Sequence, residues 1–530
     1  SVIRGNHALK SGVNYEHFRY DGNSETRTRG RLRFRSVSDF LKGTTRDFEL
    51  AKPGSDFARN YRQDLVGLYV QDDIRFGQRL VVNAGLRWEF VTTPKEKNGK
   101  VSNLRNFSDP TVTVGGDLFK NHTKKDIAPR LGFVWDVAGN GKTAIRGGYG
   151  IFYDPPLFFE WRNPIFRSLP FVDRARVNRP TLPIDPSKVV VSGPSDTESF
   201  QYDLDPIYVT QYNVNIQREL GFFDTVVMVG YVGSRGHNLL GQGDVNIAVP
   251  QIRSDGSEFF PEGSKRRNPN FGVVRAIMQG FRSRYNGVHF EFQKRRTSNF
   301  QFQTSYTYGK TEDNRSGSGG RQEYANGQAR TFDPYDFDKD WGRADYDVRH
   351  NLVFNTSYDL PFGKGRLLDG WQINLVGTFA SGVPFSPIIP GDPDRDGTDD
   401  NAARPNVVPG CNPKNVPGGR SQNMWFNPQC FAFPELGTRG NAKRNSLEGP
   451  DYRVVDMALV KTTSLSGSMQ LQARLEVFNI LNRANFDIPA NNADGEAIFD
   501  DQGNRLPDAG KIFRTITDGR SWQLALRLLF

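Results

Sequence analysis

The fold class this sequence predicts is an all-β, antiparallel transmembrane β-barrel. Three observations predict it: a final stretch that alternates apolar and polar residues up to an aromatic end, further segments of the same period, and short turns alternating with long connections. In residues 521–530, Trp522, Leu524, Leu526, Leu528 and Phe530 make one apolar face. Gln523, Ala525 and Arg527 make the other, with Leu529 the exception. A period of two belongs to a β-strand, whose successive side chains point to opposite sides. Lipid on one face and a wet lumen on the other gives a membrane strand this pattern. The edge strand of a soluble sandwich gives the same ten residues, so the rest of the chain decides.

Composition narrows the choice. The chain has 530 residues and a mean hydropathy of -0.59, and no run approaches the ~18 apolar residues of a transmembrane helix. Barrel strands hide half their residues from a hydropathy scan. Gly (54) and Pro (31) are plentiful, which favours turns over helices, and Phe (40) and Tyr (18) supply aromatics. The chain opens Ser-Val-Ile-Arg, without Met or a leader pattern, as expected of a processed or partial chain. Lys and Arg (69) exceed Asp and Glu (59) by +10, but the cations are scattered among acids. That is a solvated mixed-charge surface, and no nucleic-acid partner is expected. Cys411 and Cys430 share one Pro/Asn/Gly-rich region. They read either as a disulfide closing that loop in an oxidising compartment or as two free thiols.

Taken in order, residues 6–20 form the first expected strand. Residues 31–35 (Arg-Leu-Arg-Phe-Arg) alternate cleanly, 38–42 suit a helical turn, and 45–51 suit a short strand. Residues 63–75 lead through Phe76-Gly77-Gln78 into the clearest strand, 80–90. There Leu80, Val82, Ala84, Leu86, Trp88 and Phe90 oppose Val81, Asn83, Gly85, Arg87 and Glu89. A buried strand rarely carries Asn, Arg and Glu over such a length, whereas a tilted membrane strand needs ~9–11 residues. Similar pairs follow at 126–137 and 142–153, 207–217 and 225–233, 285–293 and 300–308, 348–358 and 371–379, and 452–461 and 469–477. The apolar stretch 271–278 is expected in an outer loop.

Between these pairs run long segments, roughly 93–124, 154–206, 234–284, 309–347, 380–451 and 478–520. Short and long in strict alternation is the pattern of an outer-membrane barrel, with short periplasmic turns and long extracellular loops. The count is about sixteen strands, give or take two.

Chemistry-bearing motifs are few. Residues 392–400 place Asp392, Asp394 and Asp396 at positions 1, 3 and 5, Gly397 at position 6, and Asp399 beyond. This is how a calcium loop starts, because oxygen ligands alternate and Gly allows the sharp turn. The bidentate Glu of position 12 is missing, since Ala403 stands there. A Ca2+ ion ordering the 380–451 loop and a solvated acidic turn are the two readings. Asp72 and Asp73 are strand neighbours on opposite faces and cannot act as an acid pair. The six His show no zinc spacing, Ser316-Gly317-Ser318-Gly319-Gly320 is not a nucleophile elbow, and no phosphate-binding loop occurs. No enzyme is expected. The best ligand-contact candidates are the aromatics of the long segments: Phe158, Phe159, Trp161, Tyr324, Tyr335, Trp341 and Trp425. The competing role for each is packing within the loops.

Three stretches resemble the barrel of TonB-dependent outer-membrane receptors: 68–75 (Leu-Tyr-Val-Gln-Asp-Asp-Ile-Arg) with its partner 80–90, 476–486 (Glu-Val-Phe-Asn-Ile-Leu-Asn-Arg-Ala-Asn-Phe), and the strand ending at Phe530. Residues 381–385 (Ser-Gly-Val-Pro-Phe) and 425–428 (Trp-Phe-Asn-Pro) resemble the Oar-like subgroup. The resemblance implies a 22-stranded barrel with a plug inside. No plug or energy-coupling box precedes the strands here, so residues 1–530 are expected to be the C-terminal part of such a receptor. The implied function is energised uptake of a bulky, scarce substrate: an iron chelate, a vitamin, a glycan or a peptide. The implied partners are outer-membrane lipid and lipopolysaccharide, the external substrate, and the TonB complex acting through the plug. A passive porin of about sixteen strands and a surface adhesion protein using the long loops are the alternatives.

Overall fold

The computed structural model describes residues 1–24, 27–34, 37–185, 193–297, 299–317, 331–398, 403–490, 496–500 and 502–530. Fourteen long strands build one sheet: β1 (His7–Asn23), β2 (Ala58–Phe76), β3 (Leu80–Val91), β4 (Ile127–Asp136), β5 (Thr143–Tyr153), β6 (Tyr208–Glu219) and β7 (Thr225–Asp244), then β8 (Val274–Thr297), β9 (Phe300–Asp313), β10 (His350–Asp359), β11 (Trp371–Ala380), β12 (Tyr452–Ser464), β13 (Gln470–Phe478) and β14 (Ser521–Leu529). Each pairs antiparallel with its neighbour in chain order.

The register carries one apolar face from end to end. Val13 lies opposite Leu68, which lies opposite Trp88. Val82 lies opposite Phe133, and Tyr149 opposite Tyr212. Tyr231, Val288 and Tyr308 follow in line. Further on, Leu375 faces Met457, Met457 faces Val477, and Val477 faces Trp522. Leu131, Val229, Val288, Leu524 and Leu526 on this face are exposed to the surroundings. The opposite face is polar and bonded across strands. Asp73 accepts hydrogen bonds from Lys10 (2.7 Å), Gln71 (2.9 Å) and Asn83 (2.6 Å). Gln303 bonds Glu291 (3.1 Å), and Arg474 bonds Glu476 (2.7 Å). Asp72 points the other way, to His7 (2.6 Å). The two neighbouring acids are thus parted by the pleat.

At one end the hairpins close tightly. The β2–β3 turn passes through Gly77 at φ 63°, a left-handed conformation that glycine adopts without a Cβ penalty. At the other end the long connections form a folded layer rather than open coil. Of the two stretches expected as strands at 31–35 and 45–51, the described residues 31–34 and 45–51 lie here instead of in the wall. Arg31–Arg33, Asp47–Ala51 and Arg174–Asn178 form a small antiparallel sheet of their own, beside helix α1 (Val37–Lys42). Removing those two elements from the wall turns the expected sixteen strands, give or take two, into fourteen long ones among the described residues.

β7 and β8 run well beyond the expected 225–233 and 285–293, up into this layer. The stretch 271–278 joins β8 at Val274 instead of forming a loop, and Val274, Ala276, Ile277 and Met278 are buried in the layer's core. On its free side, Phe200 and its neighbours in Thr197–Phe200 pair parallel to β8.

Candidate functional site

The loop layer is held by two large apolar cores, which fix most of the candidate aromatics. Helix α2 (Phe158–Arg167) brings Phe158 and Trp161 into the first core with Tyr61, Phe119 and Phe200. Trp161 is 2% exposed, its ring 5.1 Å from that of Tyr61 and 5.0 Å from that of Phe158. Phe159 lies outward under Arg162, 4.5 Å from its ring. Trp425 packs against the second core, built by Phe385, Ile389, Phe426, Phe431 and Phe499, and its Nε1 donates to the Glu448 carbonyl (2.7 Å). Tyr335 is exposed on one side, with Arg267 4.0 Å from its ring and its hydroxyl bonded to the Val245 carbonyl (2.5 Å). Trp341 stands beside Arg282 and Arg284, at 5.5 and 5.9 Å. Tyr324 and Asp399 lie outside the described residues. Cys411 and Cys430 are disulfide-bonded, with Cα atoms 5.2 Å apart, and Cys430 is fully buried.

Three buried arginines of the 381–451 segment lock it to the segment after β9. Arg444 donates to Asp313 (2.6 Å), Ser316 (2.7 Å) and Asp345 (2.8 Å). Arg404 binds Asp340 and the Lys339 carbonyl (3.0 Å). Arg439 binds Asp333 and Glu258 (3.3 Å), and its guanidinium lies against Phe260 and Phe332. None of the three stands in a motif. Their only trace in the sequence is that Asp is dense at 333–347 while Arg recurs in a Gly/Pro-rich segment far downstream.

Arg439 also meets the acidic turn, at 3.7 Å from Asp394 and 3.5 Å from Asp396. One carboxylate oxygen each of Asp392, Asp394 and Asp396 lies within 4.8 Å of the others. Burial, only partly offset by Arg439 and reinforced by Asp392, pushes Asp394 up to about 7. Burial and then Asp394 itself hold Asp396 well above the usual carboxylate range. Glu198, another buried acid of the layer, goes the opposite way. Burial would raise Glu198, but Arg167, Arg174 and Arg275 outweigh it and hold it at about 2. The difference lies in the number of cations each acid faces.

A family model for the outer membrane beta barrel domain matches residues 1–523. The chain belongs to that family. The apolar face of this outer-membrane barrel is therefore its lipid face, the polar face its lumen, and the bacterial outer membrane its location. No curated protein matches the chain. Among solved structures, the outer membrane transporter YddB from Escherichia coli is similar at 12% identity with a TM-score of 0.52. That match covers 99% of this barrel chain and 52% of YddB. The FrpB iron transporter from Neisseria meningitidis is similar at 12% identity and a TM-score of 0.46, with 99% and 53% covered. The chain thus spans about half the length of these transporters.

Proposed function

We propose that this barrel chain is the C-terminal wall and outer loop layer of a TonB-dependent transporter that takes up a bulky external substrate. In this reading the plug and the first strands belong to the same protein but lie outside this sequence. The observation that carries the reading is the edge of the sheet. β14 ladders with β13 on one side and with no described strand on the other. A wall in lipid pairs every backbone group, and in this reading further strands of the same protein supply the partner for this edge. The thick, internally packed loop layer supports a receptor over a passive pore, because folded loops present a preformed surface to a ligand. Tyr335, whose ring is exposed on one side, is the proposed first contact, and the TonB complex is the proposed source of energy through the plug. The substrate class stays open among iron chelates, vitamins, glycans and peptides.

The reading is tested in the native bacterium by deleting the gene and measuring uptake of candidate substrates under limitation, beside a strain lacking TonB. Loss of the same uptake in both strains, with surface attachment intact, is the expected result. Loss of attachment without any uptake defect points to an adhesion protein and contradicts the proposal.

A further inference from the structure

We propose that Glu89, His122 and Asp126 form a binding site for one first-row divalent transition ion, with Zn2+ as the probe, at the root of the outer segment that leads into β4. The ion is held by the fold rather than passed through it, so the inference stands apart from the uptake reading.

Its basis is a set of buried ligand atoms that no other side chain satisfies. His122 and Asp126 flank the 3₁₀ turn Thr123–Lys125, one at each end. The side chain of His122 is 6% exposed and that of Asp126 2%. Neither ring nitrogen of His122 has a hydrogen-bond partner, and neither has Asp126 Oδ1. Buried polar atoms are nearly always paired, so three unpaired ones on two neighbouring side chains point to a ligand. His122 Nδ1 stands 3.9 Å from Asp126 Oδ2, beyond hydrogen-bond reach. The ladder brings a second acid. Ile127 lies opposite Trp88, and one step on, the Glu89 amide donates to the Asp126 carbonyl (3.3 Å). Glu89 and Asp126 therefore meet across the strands on the lumen face, where like charges repel. Both bonds from Arg87 to Glu89 end on Oε1 (2.8 and 2.5 Å), which leaves Oε2 for an ion. Among the described residues no Lys or Arg is ion-paired with Asp126, and Lys124 and Lys125 of the turn are exposed. Asp205 is the other charge acting on His122.

One imidazole with two carboxylates selects the kind of ion. Zn2+ binds His nitrogen and carboxylate oxygen at about 2.0–2.2 Å, and its first-row neighbours take the same donors. Two such ligands on a tetrahedron stand ~3.4 Å apart, so His122 and Asp126 need to close by only ~0.5 Å. Glu89 stands farther off and reaches the ion by a side-chain rotation. Ca2+ and Mg2+ take oxygen ligands and gain nothing from the ring, which separates this site from the acidic turn at Asp392. The turn itself is already fixed. Thr123 Oγ1 donates to the Val91 carbonyl (3.1 Å) and accepts from the Val91 amide (3.0 Å), and Asn121 Nδ2 donates to the same carbonyl (2.9 Å). Trp88 Nε1 donates to the Lys124 carbonyl (3.0 Å). Arg87 steadies the Glu89 carboxylate, the kind of support that metal-ligating carboxylates carry. One ion here bridges β3 to the turn before β4 and neutralises the two facing acids.

The test uses the full-length protein extracted from outer membranes in detergent, stripped with EDTA, equilibrated with zinc and dialysed. Elemental analysis counts zinc per chain, and hydrogen exchange reads the amides of residues 121–127. His122→Leu and Asp126→Asn each remove one ligand at nearly unchanged shape. An H7Q/H17Q variant removes two exposed histidines that pair with carboxylates elsewhere on the wall. The wild type and H7Q/H17Q are expected to hold about one zinc more than H122L or D126N. Zinc slows exchange at 121–127 in those two proteins and not in H122L, and calcium in its place slows none of them. Glu89→Gln is expected to weaken zinc at least about tenfold in competition with a chelator. Equal zinc content in the wild type and H122L overturns the proposal. Loss of the extra zinc in H7Q/H17Q also overturns it, because the ion then sits on exposed histidines. Folding is checked by heat-modifiable gel migration. Should H122L or D126N fail to fold, Glu89→Gln decides, and no weakening there overturns the proposal equally.

Discussion

Replacing Asp394 by Asn is expected to stabilise the loop layer at alkaline pH and leave it unchanged in acid. In the folded layer this carboxyl titrates at about 7, against 3.8 in an exposed chain. Between those values the folded state holds a proton that the unfolded state has released, so stability falls as pH rises and the loss is complete above pH 7. The interval from 3.8 to about 7 corresponds to at most about 4 kcal/mol at 1.36 kcal/mol per pH unit. Asn reproduces the shape of the protonated acid without the charge, so it removes this loss. The window is separable from that of Glu198, whose lowered value makes it stabilising above pH 4.5, a contribution lost only as pH falls from there toward about 2. The assay is hydrogen exchange of amides in the 403–451 stretch, at pH values from 5 to 8 corrected for intrinsic rates, comparing wild type with Asp394→Asn. Protection should diverge as pH rises, with the variant the more protected at pH 8. A variant less protected than wild type at pH 8, or a difference that does not change between pH 5 and 8, refutes the reasoning.

Four other outcomes follow from the same geometry. Arg444→Met leaves Asp313 and Asp345 buried without their cation and should cost about 3–5 kcal/mol, and adding Asp313→Asn and Asp345→Asn should recover most of it in a denaturant titration. Cys430→Ser opens a disulfide spanning 19 residues, worth about 3 kcal/mol by chain entropy, so proteolytic nicking within 411–430 should quicken as it does on reduction of the wild type. Leu131→Arg places a charge on the lipid face and should destabilise folding into bilayers by about 2–4 kcal/mol. Its neighbour Arg130 already stands on the lumen face over Phe152, and Arg130→Leu should change stability far less. For the calcium reading of Asp392, Asp394 and Asp396, calorimetry at pH 8 should find binding at about 10⁻⁴–10⁻³ M, the range of extracellular modules, and none in Asp396→Asn. A wild type that takes up no calcium contradicts that reading.

The wall was legible wherever a strand has lipid on one side and water on the other. Residues 80–90 and 521–530 alternate because each neighbour meets a different solvent, and both are strands of the wall. The pattern fades where both faces are covered by protein. The upper parts of β7 and β8 bury Gln242, Asp244 and Arg275 beside Ala276 and Met278, so no period of two marks them. Alternation alone also cannot say which sheet a strand joins. Arg31–Arg33 alternates as cleanly as any wall strand, yet pairs with Asp47–Ala51 in the outer layer, where its arginines meet Asp47 and Glu49. The loop layer's ionic locks were not legible at all, since Arg444 and Asp313 are 131 residues apart and only the fold brings them together.

The central proposal is that this sequence is the closing part of a plugged transporter wall, and the reading frame upstream of Ser1 tests it most directly. A plug-sized globular segment of ~100 or more residues followed by further alternating strands, enough to pair with the free edge of β14, is the predicted result. A leader peptide that abuts Ser1 would contradict it and would make these strands the whole wall of a passive pore.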